Sequence, residues 1–294
     1  MKDSRPYKHF TILEWIVVFG ILFFLVFASA EAKNKHKKHA VYNIPQKNLS
    51  VMITDITESK ILCATNAEEV RALASITKLM TAMVALDYDD NMNHKIMLSR
   101  KAGSRLPVRE YTREELLHAL LVKSDNGAAE SFARNYPGGR EAFLQEMNIR
   151  AKLLGMSNTH FDDPSGLSSK NVSTARDITL MVMAASYYER IREISTKKEA
   201  YISTRSKKKQ RTVVLNNTNR LILSQVDGVQ VSKTGFTNPA GFCVAIMIEK
   251  IINNEKHYQV YVVMGAKNSK QRANEVKRLI YTQYGGPNHE TDRV

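Results

Sequence analysis

The spacing of apolar residues changes twice along this chain of 294 residues, and this change constrains the fold more than any other feature. Near the start, 49–56 and 61–65 read as two strands separated by a turn. Over 75–188 the apolar residues recur at helical spacing, in several segments. Beyond residue 212 the strand pattern returns, and a closing helix is expected over 268–284. Strands and helices segregated in this way predict an α+β fold, an antiparallel sheet with a cluster of helices beside it.

Local start and stop signals divide these blocks. Thr112 and Glu115 have the spacing of a capping box, which predicts the start of a helix. Asp125-Asn126-Gly127 interrupts that helix, and Pro137-Gly138-Gly139 ends the next segment. Among the later strands, Asn253-Asn254 predicts the turn of a hairpin.

The first thirty residues have the pattern of an export signal rather than of a folded element. Basic residues precede an apolar run over 16–28, and Ala28-Ser29-Ala30 offers an A-x-A cleavage site. The run is short for a bilayer span, which needs about 20 residues, so cleavage after Ala30 is favoured over an uncleaved anchor. The expected organisation is a signal peptide over 1–30, a basic flexible arm over 31–47, one folded domain over 48–286 and a tail over 287–294.

The net charge of +14 narrows the partners of an exported chain. It favours an anionic envelope polymer or a lipid surface, and nucleic acid is not expected because the chain shows no nucleic-acid-binding motif. Two basic clusters, 33–39 and 205–211, are interpreted as a flexible arm and an exposed loop. Solvated charge is the commoner explanation for such clusters than a specific binding site.

Cys63 and Cys243 are the only cysteines, and each lies in a strand-like apolar run. An exported chain with two cysteines permits one disulfide. Two buried thiols are equally compatible with a chain of this size. Isolated histidines such as His118, His160 and His257 are interpreted as surface or core residues rather than catalytic ones.

Ser75-Ile76-Thr77-Lys78 lies where a turn enters an apolar helix. A serine hydroxyl is a poor nucleophile at neutral pH and needs a base. A lysine three residues later lies on the same helix face, one turn away, and can serve if its amine is neutral. Alone the pattern is weak, since a helix-capping serine followed by a solvated lysine also explains it.

Two later motifs change that assessment. Ser124-Asp125-Asn126 lies in the break between two helices, and Lys233-Thr234-Gly235 lies at the end of a strand. The set S-x-x-K, S-x-N and K-T-G, in this order, resembles the signature of penicillin-binding proteins and serine β-lactamases. The resemblance implies a β-lactamase/transpeptidase-like fold, with a five-stranded antiparallel sheet, flanking helices and an inserted helical subdomain.

Four residues are expected to carry the proton chemistry. Ser75 attacks an amide or β-lactam carbonyl and becomes the acyl-ester, with Lys78 as its general base. The pKa of Lys78 must then fall well below about 10.4, through burial and a second cation such as Lys233. Ser124 relays the proton to the leaving amine, and Asn126 holds both the substrate backbone and Lys78.

The K-T-G segment is expected to bind substrate. Lys233 and Thr234 bind a carboxylate or carbonyl of the substrate, and Gly235 lets a substrate strand lie close to the sheet edge. The developing oxyanion needs two donors. These are expected to be the backbone N–H groups of Ser75 and Phe236.

Further segments resemble the low-molecular-mass D,D-peptidases, namely 155–161, 166–168 and 173–177. Class A β-lactamases carry a glutamate that activates the deacylating water. The corresponding stretch here offers Asp162 and Asp163 but no glutamate, so slow release of a β-lactam acyl group is expected.

Tyr136-Pro137-Gly138-Gly139 and the segment 233–238 resemble the D-alanyl-D-alanine endopeptidases of the penicillin-binding protein 7/8 type. That type implies hydrolysis of D-alanyl–diaminopimelate crosslinks in peptidoglycan, in the periplasm, with β-lactams as covalent inhibitors and no metal or cofactor. Loose electrostatic association with the sacculus or the membrane surface is compatible with the charge.

Two alternatives stay open at this point. A D-alanyl-D-alanine carboxypeptidase would trim stem pentapeptides, but such enzymes typically add a C-terminal β domain and an amphipathic helix, which this chain is expected to lack. A catalytically inactive module that binds peptidoglycan peptides is the second alternative, and the intact set of three motifs argues against it.

Overall fold

The computed structural model describes residues 48–282 except 101–102, 105, 207–208 and 225. The expected signal peptide, the basic arm and the C-terminal tail therefore lie outside the described residues. Within them, every helix is too short or too polar to cross a bilayer. The basic cluster over 205–211 is described only in part, as backbone on either side of 207–208.

Strands and helices follow the segregated order that the sequence predicts. The strands are β1 (Ser50–Asp55), β2 (Lys60–Thr65), β3 (Arg71–Ala72), β4 (Lys95–Met97), β5 (Glu110–Thr112), β6 (Val172–Ser173), β7 (Glu199–Ser206), β8 (Lys209–Asn216), β9 (Val229–Thr237), β10 (Gly241–Ile252) and β11 (Glu255–Ala266). The helices are a 3₁₀ turn (Ala74–Thr77), α1 (Lys78–Tyr88), α2 (Arg113–Leu121), α3 (Asn126–Arg134), α4 (Gly139–Leu153), α5 (Ala175–Ala185), α6 (Glu189–Ser195), α7 (Arg220–Leu223) and α8 (Ser269–Thr282).

The main sheet has five strands in the order β2-β1-β11-β10-β9, and every neighbouring pair is antiparallel. The hairpin between β10 and β11 turns at Asn253 and Asn254, whose φ angles of 52° and 65° are those of a type I′ turn. The predicted hairpin and the expected five-stranded antiparallel sheet are therefore confirmed.

Each face of the sheet buries its own set of apolar side chains. Val260 and Val262 of β11 face the large core formed with the helices between β2 and β7. Val263, on the opposite face, packs in a smaller core with Val276 and Leu279 of α8. Burying one such side chain contributes about 1.5–3 kcal/mol, so both faces stabilise the sheet. The sheet is thus held between the helical cluster and α8.

The ends of several elements differ from the sequence-based expectation. The helix expected to continue to about Tyr188 ends at Ala185, and α6 follows it. The strand expected from 212 begins at Lys209 and pairs with β7, which the sequence analysis did not predict. The basic residues at the tip of this hairpin obscure the period-two pattern that identifies a strand.

Cys63 and Cys243 are both buried thiols, not joined by a disulfide. They lie on β2 and β10, which are separated by β1 and β11. Three strand spacings amount to about 14 Å, beyond the roughly 7 Å that a disulfide can span between Cα atoms. Of the two alternatives left open, the pair of buried thiols is confirmed.

Candidate active site

Ser75 lies in the 3₁₀ turn that leads directly into α1. The turn is entered through Ala74, which adopts a positive φ of 48°, uncommon for a residue with a side chain. Thr77 Oγ1 donates to Ala74 O at 2.8 Å and holds the turn closed. Leu73 and Thr77, not Ser75, occupy the N-cap positions, and neither side chain makes a capping hydrogen bond. The capping alternative for Ser75 is therefore wrong, and its hydroxyl is available for chemistry.

The amine of Lys78 has three oxygen neighbours. Nζ lies 2.8 Å from Ser75 Oγ, 2.8 Å from Asn126 Oδ1 and 2.6 Å from Ser165 O. Two of these oxygens are carbonyl oxygens, which only accept, whereas a hydroxyl can also donate. A neutral amine has two N–H donors and one lone pair. It can donate to Asn126 and Ser165 and direct the lone pair at the Ser75 hydroxyl.

Burial makes that neutral state accessible. Lys78 is fully buried, and burial lowers its pKa to about 7 because the ammonium form loses its hydration. The carboxylates of Asp163 and Asp125 act in the opposite direction and keep the pKa from falling further. Both burial and a second cation, Lys233, are expected from the sequence to lower this pKa. Burial is the cause that lowers it in the structure.

Ser124 and Asn126 are placed by the break between α2 and α3. Ser124 adopts a left-handed φ of 63°, so the chain changes direction between α2 and α3. Asp125 then caps α3 by accepting from Ala128 N at 3.0 Å. The middle residue of the S-x-N motif is thus a helix cap, and its two neighbours face Lys233 and Lys78.

Lys233 reaches the site from β9. Its Nζ donates to Ser124 Oγ at 3.0 Å and to Thr234 O at 2.9 Å. Burial, followed by the neighbouring cations Lys78 and Arg272, lowers the pKa of Lys233 well below its usual range. The structure therefore forms two hydrogen-bonded groups, one of Ser75, Lys78 and Asn126 and one of Lys233 and Ser124, which are adjacent because Ser124 and Asn126 belong to the same short motif.

The K-T-G segment lies directly against the nucleophile. A Cβ added to Gly235 would lie 3.0 Å from each of Ser75 N, Ala74 Cβ and Leu73 O. Only a glycine lets β9 pass this close to the 3₁₀ turn. Phe236 follows with its ring 51% exposed and stacked on Phe242 at 4.1 Å. The backbone of Phe236 is therefore held one residue beyond the point of closest approach to Ser75.

Sequence reasoning did not assign a role to several residues that complete the site. Thr218 Oγ1 lies 2.7 Å from Thr234 Oγ1. Behind it, Arg272 of α8 donates to Thr218 O at 3.4 Å and to Cys243 O at 3.3 Å. Arg272 is 4% exposed, and no carboxylate of the described residues lies within ion-pair distance of it. Burial lowers its pKa to about 10, so it stays a cation at neutral pH.

No local pattern marks Thr218 or Arg272, since each is one of many similar residues in its segment. The Asp163-Pro164-Ser165-Gly166 turn did carry a signal, because aspartate, proline and glycine together specify a tight loop. Its carbonyl at Ser165 is the third neighbour of Lys78. No cluster of histidine, cysteine and carboxylate side chains in the described part of the chain has the arrangement of a metal site.

Comparison with known proteins gives the family. The chain matches the peptidase S11 model, described as D-alanyl-D-alanine carboxypeptidase, over residues 36–268. It is 40% identical over 214 residues to the D-alanyl-D-alanine endopeptidase of Escherichia coli (strain K12), covering 70% of this chain and 68% of that protein. It is 31% identical over 285 residues to the D-alanyl-D-alanine carboxypeptidase DacF of Bacillus subtilis (strain 168), covering 91% and 70%.

Solved structures agree. Penicillin-binding protein D2 of Listeria monocytogenes, in its ampicillin-bound form, matches with a TM-score of 0.68 and 28% identity, covering 79% of this chain and 95% of that one. A point mutant of the Streptomyces K15 DD-transpeptidase matches with a TM-score of 0.73 and 25% identity, covering 81% and 98%. The expected transpeptidase-like α+β fold is confirmed. With the family match extending over most of the chain and the serine–lysine pair in contact, this protein belongs to the peptidase S11 family of serine D,D-peptidases.

Proposed function

We propose that this chain is a serine D,D-endopeptidase that hydrolyses D-alanyl–diaminopimelate crosslinks in peptidoglycan through an acyl-enzyme on Ser75. The observation that carries the proposal is the 2.8 Å contact between Ser75 Oγ and the buried amine of Lys78, whose pKa lies at about 7. A base with a pKa near the working pH is the most effective one. The 40% identity to a protein named D-alanyl-D-alanine endopeptidase supports the choice of crosslinks as the substrate.

Acylation begins when Ser75 Oγ attacks the D-alanyl carbonyl and its proton passes to Lys78 Nζ. The lone pair of Lys78 already faces the hydroxyl, because the two N–H donors are taken by Asn126 and Ser165. The negative oxygen of the tetrahedral intermediate accepts hydrogen bonds from Ser75 N–H and Phe236 N–H. Donors fixed in this way stabilise charge that exists only in the transition state.

The intermediate collapses when the crosslinked amine leaves and takes up a proton. Ser124 gives its hydroxyl proton to that amine and recovers one from the Lys78 ammonium. The contact between Lys233 and Ser124 at 3.0 Å orients this hydroxyl and favours its transient negative charge. Each proton removed from Ser75 is thus returned to the product, and Lys78 ends the step neutral.

Water then attacks the acyl-ester and gives a proton to Lys78 Nζ. The ester bond to Ser75 Oγ breaks, the proton passes from Lys78 to Ser75 Oγ, and the peptide leaves with a new D-alanyl carboxyl group. Asp163 does not serve this step, because its carboxylate accepts hydrogen bonds from the backbone and hydroxyl groups of its own loop. With Asp163 held in this way, a β-lactam acyl group that blocks the approach of water is released slowly.

The substrate offers a carboxylate next to the scissile amide, on the leaving residue. Lys233 and the hydroxyl groups of Thr234 and Thr218 form the polar end of the site, with the Arg272 cation behind Thr218. A buried cation without an ion-paired carboxylate favours an anionic ligand. β-Lactams present the same carboxylate, and penicillin-binding protein D2 is described in ampicillin-bound and cefotaxime-bound forms.

Export to the periplasm and cleavage after Ala30 form part of the proposal, supported by the sequence pattern of residues 1–30. The net charge of +14 supports weak association with the anionic sacculus or the membrane surface. The domain bounds 31–47, 48–286 and 287–294 likewise stay proposals.

The experiment uses purified crosslinked muropeptide dimers and monomeric pentapeptides, with products separated by chromatography. We expect cleavage of the dimer, covalent labelling by a fluorescent penicillin, and loss of both in Ser75→Ala.

Loss of terminal D-alanine from the pentapeptide, with the dimer intact, would show that the chain is a carboxypeptidase rather than an endopeptidase. The alignment with the carboxypeptidase DacF over 91% of this chain favours that second candidate. Absence of label on the wild-type protein would leave only an inactive binding module.

A further inference from the structure

Asp163 is a buried carboxylate that the proposed chemistry does not use. It is 5% exposed, and its Oδ1 accepts from Ser165 N at 2.5 Å, Ser165 Oγ at 2.7 Å and Gly166 N at 2.7 Å. Its Oδ2 accepts from Ser168 N at 2.5 Å. Burial alone would raise the pKa of Asp163, but these hydrogen bonds outweigh it and lower the pKa. At neutral pH the residue is an anion around which the loop from 163 to 168 is wrapped.

This loop is fixed to the helix that carries Lys78. Thr81 Oγ1, one turn after Lys78, donates to Pro164 O at 2.5 Å. Asn171 Nδ2 donates both to Asp163 O at 2.8 Å and to Thr77 Oγ1 at 3.0 Å. The carboxylate at the centre of the loop therefore sets the position of a backbone that is bonded to α1 at Thr81 and, through Asn171, to the 3₁₀ turn at Thr77.

The loop contacts the base itself through a single carbonyl. Ser165 O lies 2.6 Å from Lys78 Nζ. Because Ser165 contributes two of the four donors that Asp163 binds, its backbone cannot turn without breaking those bonds. If this carbonyl moved, one N–H of the neutral amine would lose its acceptor, and the lone pair would no longer be confined to the direction of Ser75.

We propose that Asp163 is a positioning residue for the reaction. Through the Ser165 carbonyl it orients the Lys78 amine toward Ser75, and through its negative charge it favours protonation of that amine. It touches neither substrate nor reacting atoms. The inference rests on the proposed role of Lys78 as the base, and it adds a residue outside the three sequence motifs.

The charge has a consequence of definite sign. Three charged groups face Lys78: Asp163 from the loop, Asp125 from the start of α3 and Lys233 from β9. The two carboxylates favour the ammonium form of Lys78. If the charge at 163 is removed, only Asp125 still opposes the effect of burial on Lys78. The pKa of Lys78 should then fall below about 7. The acid limb of the acylation rate then moves to lower pH.

The test measures the second-order rate of acylation by a fluorescent penicillin between pH 5 and pH 9, in roughly half-unit steps. For Asp163→Asn we expect the plateau to fall about tenfold or more, because the base is misoriented, and the acid limb to move down by about one pH unit. Asp162→Asn is the matched control, since it removes a neighbouring carboxylate that accepts from the Ser168 side chain rather than from the loop backbone. The acid limb of the acylation rate of Asp162→Asn should coincide with that of the wild type.

Cooperative thermal unfolding monitored by circular dichroism establishes that each variant folds. If Asp163→Asn does not fold, Asp163→Ser replaces it, because its hydroxyl can still accept from the loop. A lower plateau with an unmoved acid limb in the folded variant would overturn the proposal, as would the failure of both variants to fold, which assigns Asp163 to folding alone. A wild-type protein that is acylated but leaves crosslinked dimers intact would refute the proposed substrate and leave this measurement valid.

Discussion

The two buried lysines of the site come from two sides of the molecule that differ in their charges. On the helical side, Lys78 is accompanied by the carboxylates of Asp163 and Asp125. On the sheet side, Lys233 is accompanied by Arg272, and no carboxylate of the described residues lies within ion-pair distance of either. Both lysines are buried to the same extent. The two lysines therefore differ in their neighbouring charges and not in their burial.

Carboxylates on the helical side allow a proton to move. Burial lowers the pKa of Lys78 to about 7, and the two carboxylates keep it from falling further, so the amine is neutral in part of the molecules and can both accept and release a proton. On the sheet side, uncompensated positive charge favours the binding of an anion. Burial thus makes Lys78 a base that its neighbouring acids allow to be protonated, whereas Lys233 lies beside the Arg272 cation on a surface suited to an anion.

Replacement of each lysine by arginine is expected to give the largest difference. Arginine stays charged at all pH values of interest and cannot act as a base, so Lys78→Arg should lower the acylation rate by about 10³-fold or more. Lys233→Arg places a permanent cation at that position and should lose only about ten- to a hundredfold, from the misfit of the larger group. Stopped-flow labelling with a fluorescent penicillin measures both rates.

If Lys78→Arg and Lys233→Arg lowered the acylation rate by the same factor, the two lysines would not have the different roles inferred for the helical and the sheet side. Thermal unfolding of both variants controls for the cost of placing a larger side chain in a buried position.

Two glycines give the next largest difference. A Cβ on Gly166, at φ +84°, would lie 1.9 Å from Ala74 O, so Gly166→Ala should lower the free energy of unfolding by about 2 kcal/mol or more. A Cβ on Gly235 meets its neighbours at 3.0 Å, and no positive φ is involved. Gly235→Ala should cost about 1 kcal/mol of stability, yet reduce acylation because β9 moves away from Ser75. Urea unfolding and labelling rates separate the two effects.

A larger loss of stability in Gly235→Ala than in Gly166→Ala would show that the contact between β9 and the 3₁₀ turn, rather than the loop contact, carries the strain.

The pH dependence of acylation tests the helical side alone. Burial lowers the pKa of Lys78 to about 7, and only the neutral amine accepts the proton of Ser75. The rate should therefore be full above pH 7 and fall about tenfold for each unit below it. A profile flat down to pH 5 would mean that Lys78 is not the base, and a limb near pH 10 would mean that its burial is lost in solution.

Removal of one hydroxyl on the sheet side should give the smallest effect. Thr218→Val keeps the volume but removes the partner that lies 2.7 Å from Thr234 Oγ1. One hydrogen bond contributes about 1 kcal/mol, so KM for a peptide with a free carboxylate should rise about three- to tenfold with little change in kcat. Thr212→Val, at an exposed position of β8, is the matched control. A fall in kcat at unchanged KM would place Thr218 in the chemical step instead.

The sequence predicts which side chains form the candidate site better than it predicts what surrounds them. Three short motifs identify Ser75, Ser124 and Lys233 because the order of residue types is characteristic, even though the motifs lie far apart along the chain. The elements that carry them also follow from period and capping signals, as the capping box at Thr112 and Glu115 demonstrates.

Other groups around the candidate site could not be predicted from the sequence, because their roles depend on tertiary contacts. Ser165 contributes a backbone carbonyl, and any residue type has one. Arg272 reaches Thr218 from a helix in which arginine and lysine recur, so its pattern resembles that of a solvated face. The effect of Asp163 on the pKa of Lys78 depends on the burial of both groups, which a four-residue motif does not encode.

The position of β11 has a consequence for the order in which the molecule forms. This strand is the centre of the sheet, between β1 from the start of the domain and β10. Ser50 at the start of β1 pairs with Met264 near the end of β11, so the sheet closes over almost the whole domain. Such long-range pairing is slow, because the intervening chain must be ordered first. The S-x-x-K, S-x-N and K-T-G motifs all precede β11, so a chain cut before residue 255 would contain the three motifs, yet it would lack both β11 and Arg272 and be inactive.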